Sequence, residues 1–139
     1  MMNYSKLSAD SQISPRTKKK FALIVGFEYP KDKHNPPITG PALSSENFKQ
    51  LLIDDFGFLP ANITHITDEG CSHTPTDEKI LKELIVMVKK AKPLDTVVFF
   101  FCGHGGRYKG NYNNDSGFVE FLSTGTRPDG TQTYIRGMF

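Results

Sequence analysis

Residues 95–102 have the sequence Asp-Thr-Val-Val-Phe-Phe-Phe-Cys, and this stretch decides the fold. Its central residues are apolar at both alternating positions, which is typical of a strand buried on both faces of a parallel sheet. A second continuous run, Phe-Ala-Leu-Ile-Val, occupies residues 21–25 and is closed by Gly26. A weaker alternation over residues 63–67 predicts a further strand.

Two helices are predicted between these strands. Residues 41–55 have helical spacing, and Gly57 follows as a terminating glycine. The apolar face of this helix is expected to hold Leu43, Phe48, Leu51 and Leu52. Thr76 is a good N-cap for a second helix, which Pro93 ends. Its buried stripe is expected to consist of Ile80, Leu81, Leu84, Ile85 and Val88.

The alternation of strands and helices predicts an α/β domain, a mostly parallel sheet with helices on both faces. Residues 107–117 are expected to form a polar loop, 118–122 a fourth strand, and 123–131 a turn-rich loop. Residues 134–139 look like the start of another element. Residues 1–20 are polar and rich in Ser and Lys, and we expect them to form a flexible leader.

The composition narrows the class of function. A chain of 139 residues with 37% hydrophobic residues suits one folded domain. A net charge of +2 is too small to indicate nucleic acid or an acidic membrane as the main partner. No apolar run approaches the roughly 18 residues of a membrane span. Two cysteines, Cys71 and Cys102, fit a reducing compartment, so the cytosol or the nucleus is expected.

The candidate chemical group is His104, which directly follows the most apolar strand. Catalytic groups of parallel sheets collect beyond the carboxyl ends of the strands. The flanking Gly103, Gly105 and Gly106 let a substrate approach the backbone and leave amide groups free. An imidazole is a base near neutral pH, and a neighbouring amide can stabilise a developing oxyanion. The pattern favours acyl transfer, with a surface histidine in a glycine turn as the alternative.

The segment 97–106, Val-Val-Phe-Phe-Phe-Cys-Gly-His-Gly-Gly, resembles the strand and His-Gly motif of the caspase-like cysteine peptidases. Among these it is most similar to the metacaspases, and the resemblance covers about residues 21–139. The other similar stretches are 21–30, 56–58, 63–68, 75–80 and 115–120. Residues 135–138 resemble the family's helix that leads toward the nucleophile.

The resemblance implies a caspase-hemoglobinase-like three-layer sandwich that hydrolyses peptide bonds through a Cys-His dyad. Carried over, His104 is the general base, and the Gly105 amide contributes to the oxyanion hole. The family's nucleophile lies about fifty residues after the histidine, but the chain ends at Phe139. Residues 21–139 are therefore expected to be the N-terminal, large-subunit part of the domain, incomplete at its C-terminal side. Protein or peptide is the implied substrate, and the remaining C-terminal part is the implied partner.

Two positions depart from the family pattern. Ser44 aligns with an acid of the substrate pocket, and a neutral hydroxyl cannot pair with a buried cation, so a preference for Arg or Lys is in doubt. Many metacaspases bind calcium after the histidine loop, where Asp115 is the one carboxylate among residues 111–115. No cofactor is expected to be required, and Asp115 is the candidate calcium ligand.

Two alternative uses of the cysteines are less favoured. Along one strand, the Cβ atoms of Cys102 and His104 would lie about 7 Å apart, which is long for a direct hydrogen bond. Cys71 with His73, and Cys102 with His104, form two Cys-x-His pairs. Zinc ligands in structural sites are usually separated by about two to four residues, not one.

Two other functions remain as alternatives. One is a catalytically inactive caspase-like module that binds or regulates a partner. The other is a doubly wound nucleotide domain, which would need a phosphate-binding glycine loop after the first strand. Residues 26–30, Gly-Phe-Glu-Tyr-Pro, do not supply that loop.

Overall fold

The computed structural model describes residues 16–110 and 117–137. Its elements, in chain order, are β1 (Lys20–Gly26), α1 (Pro41–Asp54), a 3₁₀ turn (Pro60–Asn62), β2 (Ile63–Thr67), α2 (Asp77–Lys90), β3 (Thr96–Cys102), β4 (Gly105–Lys109), β5 (Phe118–Thr126) and β6 (Gln132–Gly137). One sheet has the order β2-β1-β3 and is parallel. The other has the order β4-β5-β6 and is antiparallel.

β1 is the central strand of the parallel sheet, as its continuous apolar run predicts. Six of its seven residues are buried, and only Lys20 is exposed. The strand begins at Lys20, within the predicted leader, and Arg16 and Lys19 hydrogen-bond the Asp95 carboxylate. Residues 1–15 lie outside the described residues, so the flexible leader stays a prediction.

The two helices cover opposite faces of this sheet. One buried cluster, on the α1 face, comprises Ala22, Ile24, Leu52 and Phe58. The cluster on the α2 face includes Leu23, Val25, Ile80 and Met87. This helix–sheet–helix stack confirms the predicted three-layer α/β architecture. Neither α-helix of the described residues combines the length and apolarity needed to cross a lipid bilayer.

The predicted helix stripes are wrong in part. Ile80 and Leu84 pack against the core, but the side chains of three other predicted members are exposed: Leu81 42%, Ile85 54% and Val88 60%. On α1, Phe48 and Leu52 pack inward, whereas Leu43 and Leu51 are exposed. The reason is geometric: a three-stranded sheet is narrow, and each helix contacts it through one row of residues spaced by three and four.

The expectations after His104 also need correction. Residues 105–109 form β4, which includes the first three residues of the predicted loop 107–117. β5 continues to Thr126 and so extends into the predicted turn-rich loop 123–131. Residues 132–137 form a strand, not the helix that the resemblance implied for residues 135–138. The chain reverses direction between β5 and β6, where the Arg127 N–H donates to the Thr131 carbonyl and closes a hairpin. Residues 132–137 therefore pair with β5 as a strand.

α1 is joined to β2 by a hydrogen-bonded contact. The buried Ser45 hydroxyl lies 2.8 Å from His65 Nε2, and His65 Nδ1 lies 3.3 Å from a carboxylate oxygen of Glu46. A Cβ at Gly26 would collide with the Ser45 side chain, so the helix approaches β1 only because glycine is there. Burial lowers the pKa of His65, an effect that Glu46 only partly opposes.

We expect the free energy of unfolding to fall as the pH drops below 6.5, the ordinary pKa of a histidine such as His65. Because the pKa of His65 is lower in the folded state, the unfolded chain takes up the proton first, and this uptake favours unfolding. The resulting loss of stability is absent only above about pH 7. Urea unfolding between about pH 8 and pH 5 measures this slope. His65→Gln should flatten the slope, whereas exposed His73→Gln should not. Equal slopes in His65→Gln and the unaltered chain would contradict the assignment.

Candidate active site

His104 lies between the two sheets, after the end of β3 and immediately before β4. Its half-buried ring places Nε2 2.7 Å from the carbonyl oxygen of Pro36, in the loop after β1. A carbonyl oxygen only accepts hydrogen bonds, so Nε2 carries the proton of the neutral ring. Nδ1 therefore keeps the lone pair and is the nitrogen able to accept a proton.

Tyr29 packs against the imidazole of His104. The two rings are stacked, with centroids 4.9 Å apart and planes 30° from parallel. The Tyr29 hydroxyl accepts the backbone N–H of His104 at 3.0 Å and donates to the Ser123 carbonyl at 2.7 Å. The side chain is fully buried, and burial raises the pKa of the phenol, so the hydroxyl keeps its proton.

Asp68 holds the backbone that presents Tyr29. Tyr29 has a φ of 55°, in the left-handed region that residues other than glycine rarely adopt. One oxygen of Asp68 accepts the Glu28 N–H at 2.9 Å, and the other accepts the Tyr29 N–H at 2.8 Å. The second oxygen also accepts the Thr74 hydroxyl at 2.8 Å. These three bonds offset the cost of burying a carboxylate that is only 1% exposed.

The glycines beside His104 serve two different geometric needs. A Cβ at Gly103 would lie 2.6 Å from the Tyr29 hydroxyl oxygen, so a larger residue would displace that hydroxyl. The Ser123 N–H donates to the His104 carbonyl at 2.9 Å, which makes Gly105 and Leu122 a non-hydrogen-bonded pair. The Gly105 N–H consequently points away from β5, toward the outer edge of β4.

A hollow of about 380 Å³ begins at the residue after His104. It is lined by Gly105, Gly106, Arg107, Glu120, Phe121 and Leu122. His104 itself is half-buried, so its imidazole is not enclosed in the core, although the ring is not among the residues that line the hollow.

The model of the metacaspase, peptidase C14 domain, matches residues 19–125, which is more than half of the chain. The chain belongs to the metacaspase family. Metacaspase-1 of Candida albicans and that of Lodderomyces elongisporus are each 32% identical to it over 119 residues. Metacaspase-1 of Yarrowia lipolytica is 32% identical over 114 residues. Membership confirms both the resemblance and the caspase-like fold.

The metacaspase match is partial in one respect. Each of these three alignments covers 80% of this chain but only 26%, 26% and 24% of the relative. The chain spans about a quarter of the length of the curated relatives it matches. What those whole proteins do is therefore carried to this chain only as a proposal.

Of the other two predicted site residues, Ser44 and Asp115, the structure describes Ser44. Ser44 is exposed on the first turn of α1, and in the described part of the chain no hydrogen bond joins it to His104. Asp115 lies outside the described residues, so its role as a calcium ligand stays a prediction.

No metal site forms among residues 16–110 and 117–137, where no three His, Cys, Asp or Glu side chains converge. The zinc tetrahedron considered from Cys71, His73, Cys102 and His104 is thus excluded. In the same ranges no three Asp or Glu side chains converge, and calcium binding stays a prediction.

Cys102 is the last residue of β3 and pairs with the neighbouring strand β1. Its carbonyl accepts the Phe27 N–H at 3.0 Å, and it is opposite Gly26 in the parallel sheet. Within the described ranges, no hydrogen bond joins its thiol to His104. This arrangement favours the interpretation of Cys102 as a packed strand residue.

Sequence reasoning missed three groups that contact or support His104. Tyr29 and Asp68 lie within stretches that resemble the family, 21–30 and 63–68, but no role follows from their spacing. Their burial was the missing signal, and only the folded chain shows it. Pro36 acts through its backbone carbonyl, which no residue type specifies.

We expect Asp68→Asn to lower the free energy of unfolding by about 1–3 kcal/mol, because an amide NH₂ replaces one acceptor and leaves a buried donor unpaired. Urea unfolding measures this change. The matched control is Asp55→Asn at the exposed end of α1, which should change stability by less than about 0.5 kcal/mol. Equal losses in the two variants would contradict the role of Asp68.

Proposed function

We propose that this chain is the histidine-bearing part of a metacaspase cysteine endopeptidase and that His104 is its general base. The observation that carries the proposal is the contact between His104 Nε2 and the Pro36 carbonyl, because it leaves Nδ1 as the basic nitrogen. The partial exposure of His104, the hollow that begins at Gly105 and the family membership support it. Protein or peptide chains are the proposed substrates.

The proposed reaction begins when Nδ1 of His104 removes the proton of a cysteine thiol. The thiolate attacks the scissile carbonyl carbon, and the carbonyl electron pair moves onto oxygen. The outward-facing Gly105 N–H donates to this oxyanion. The imidazolium then protonates the leaving amine as the C–N bond breaks, and water hydrolyses the thioester. This sequence needs a basic nitrogen and a free amide on adjacent residues, and His104 Nδ1 and the Gly105 N–H are the groups proposed for these roles.

The cysteine is proposed to come from the remaining C-terminal part of the peptidase domain. In the described part of the chain β3 is an edge strand, and its Val97 and Phe99 are 41% and 38% exposed. A further parallel strand at this edge would satisfy its backbone groups and end beside His104. The limited share of the relatives that this chain spans is consistent with such a segment.

The second candidate is a catalytically inactive caspase-like module that binds or regulates a partner. It is favoured by the lack of a hydrogen-bonded Cys-His pair among the described residues. Reading the coding region past Phe139 separates the two. A cysteine within about twenty codons supports the peptidase, since the family spacing is about fifty residues. A stop codon at that point supports the module.

For the peptidase, we expect the longer polypeptide with that cysteine to cleave fluorogenic peptides, and the 139-residue chain alone to show no turnover. Peptides ending in Arg, Lys and Asp before the cut should all be assayed, because Ser44 offers no acid. His104→Ala should lower kcat about 10²–10⁴-fold through loss of the base.

Exposed His73→Ala is the control and should retain full activity. Turnover by the 139-residue chain alone would refute the structural assignment of Cys102. Unchanged kcat in His104→Ala would refute the assignment of the base.

A further inference from the structure

We propose that Tyr29 is a positioning residue that holds His104 in the form with the proton on Nε2. The functional meaning of this inference rests on the proposed peptidase, but its test does not need peptidase activity. Tyr29 touches neither a thiol nor a substrate in the proposed reaction, so it acts only through the imidazole.

The hydroxyl of Tyr29 fixes the backbone of His104. It accepts the His104 N–H and donates to the Ser123 carbonyl, so both functions of one hydroxyl are used. These bonds connect the residue between β3 and β4 to β5, the neighbouring strand. Without them, the His104 N–H would lose its acceptor and the segment would be free to shift relative to Pro36.

The ring of Tyr29 restricts the rotation of the imidazole. Stacking at a centroid distance of 4.9 Å keeps one face of the imidazole covered. The Pro36 carbonyl holds one edge of the same ring at 2.7 Å. A flip that exchanged Nδ1 and Nε2 would have to break the contact with Pro36. A face contact and an edge contact together determine which nitrogen remains basic.

The residues around Tyr29 fix its position next to His104. A Cβ at Gly103 would occupy space next to its hydroxyl, and the side chain is fully buried. Its backbone adopts a φ of 55°, an arrangement that Asp68 stabilises through the Tyr29 N–H. Unfavourable backbone angles persist where the surrounding contacts require one geometry.

The test measures the tautomer ratio of His104 by imidazole ¹⁵N chemical shifts at about pH 8, a pH above the ordinary titration range of histidine. In the unaltered 139-residue chain, the Nε2–H form should predominate. In Tyr29→Phe the ring stack remains but the hydroxyl is lost. The ratio of Nε2–H to Nδ1–H should then fall about fivefold, the effect of one ordinary hydrogen bond on an equilibrium.

Tyr108→Phe is the matched control, because Tyr108 is a half-buried tyrosine on β4 that packs on Phe121 and not on His104. It should leave the His104 ratio unchanged. An unchanged ratio in Tyr29→Phe, or the same fall in Tyr108→Phe, would overturn the proposal. A structural role alone would lower stability without changing the ratio.

A measurement on the unaltered chain covers the case in which Tyr29→Phe does not fold. The His104 amide should exchange with solvent at least about 100-fold more slowly than an unprotected amide, because its acceptor is buried. Exchange at the unprotected rate would overturn the proposal. If His104→Ala leaves peptidase activity intact but the tautomer ratio responds to Tyr29→Phe, the peptidase assignment fails and the positioning role stands.

Discussion

The hydroxyl of Tyr29 joins the parallel sheet to the antiparallel sheet at the place where the chain passes between them. It binds the His104 N–H on one side and the Ser123 carbonyl on the other. The residue comes from the loop after β1, so the most buried strand of the domain sets its position. The geometry around His104 thus depends on one buried polar group with both hydrogen bonds satisfied, where an unpaired group would be costly.

Two carboxylates fix the two partners of His104. Asp68 holds the backbone of Tyr29, while Asp32 accepts the Asn35 N–H and the Thr126 N–H. Asp32 thereby fastens the segment just before Pro36 to β5. Burial works to raise the pKa of Asp32, but hydrogen bonds from Asn35 and His34 outweigh it and keep the pKa below its usual range. Both loops are therefore held by hydrogen bonds to carboxylate side chains, in addition to the apolar packing of Tyr29 in the core.

The sequence predicts the parts of this structure that depend on local pattern. Three parallel strands and two helices follow from apolar runs and caps, and His104 follows from its place after the longest run. The pattern does not predict β4, because its residues Gly105 and Gly106 have weak strand propensity and are held by pairing with β5. Nor does it predict Tyr29 and Pro36 as partners of His104, since these contacts join residues about 70 positions apart. Helix spacing likewise fails to distinguish the exposed Ile85 from the buried Ile80, because the width of the sheet decides it.

In the proposed peptidase, a base that is fixed before the nucleophile binds has a physical advantage. The proposed cysteine would come from a separate element, so the catalytic geometry cannot depend on that cysteine to orient the imidazole. Here Pro36 and Tyr29 constrain the ring from within the chain, and the entropy of orienting it is lost on folding instead of in each reaction. The exposed apolar residues of β3 and α2 lie apart from these contacts, so covering them would add stability without rearranging His104. An imidazole that is oriented in advance, apart from an open sheet edge, suits the proposed peptidase, in which a further segment brings the cysteine.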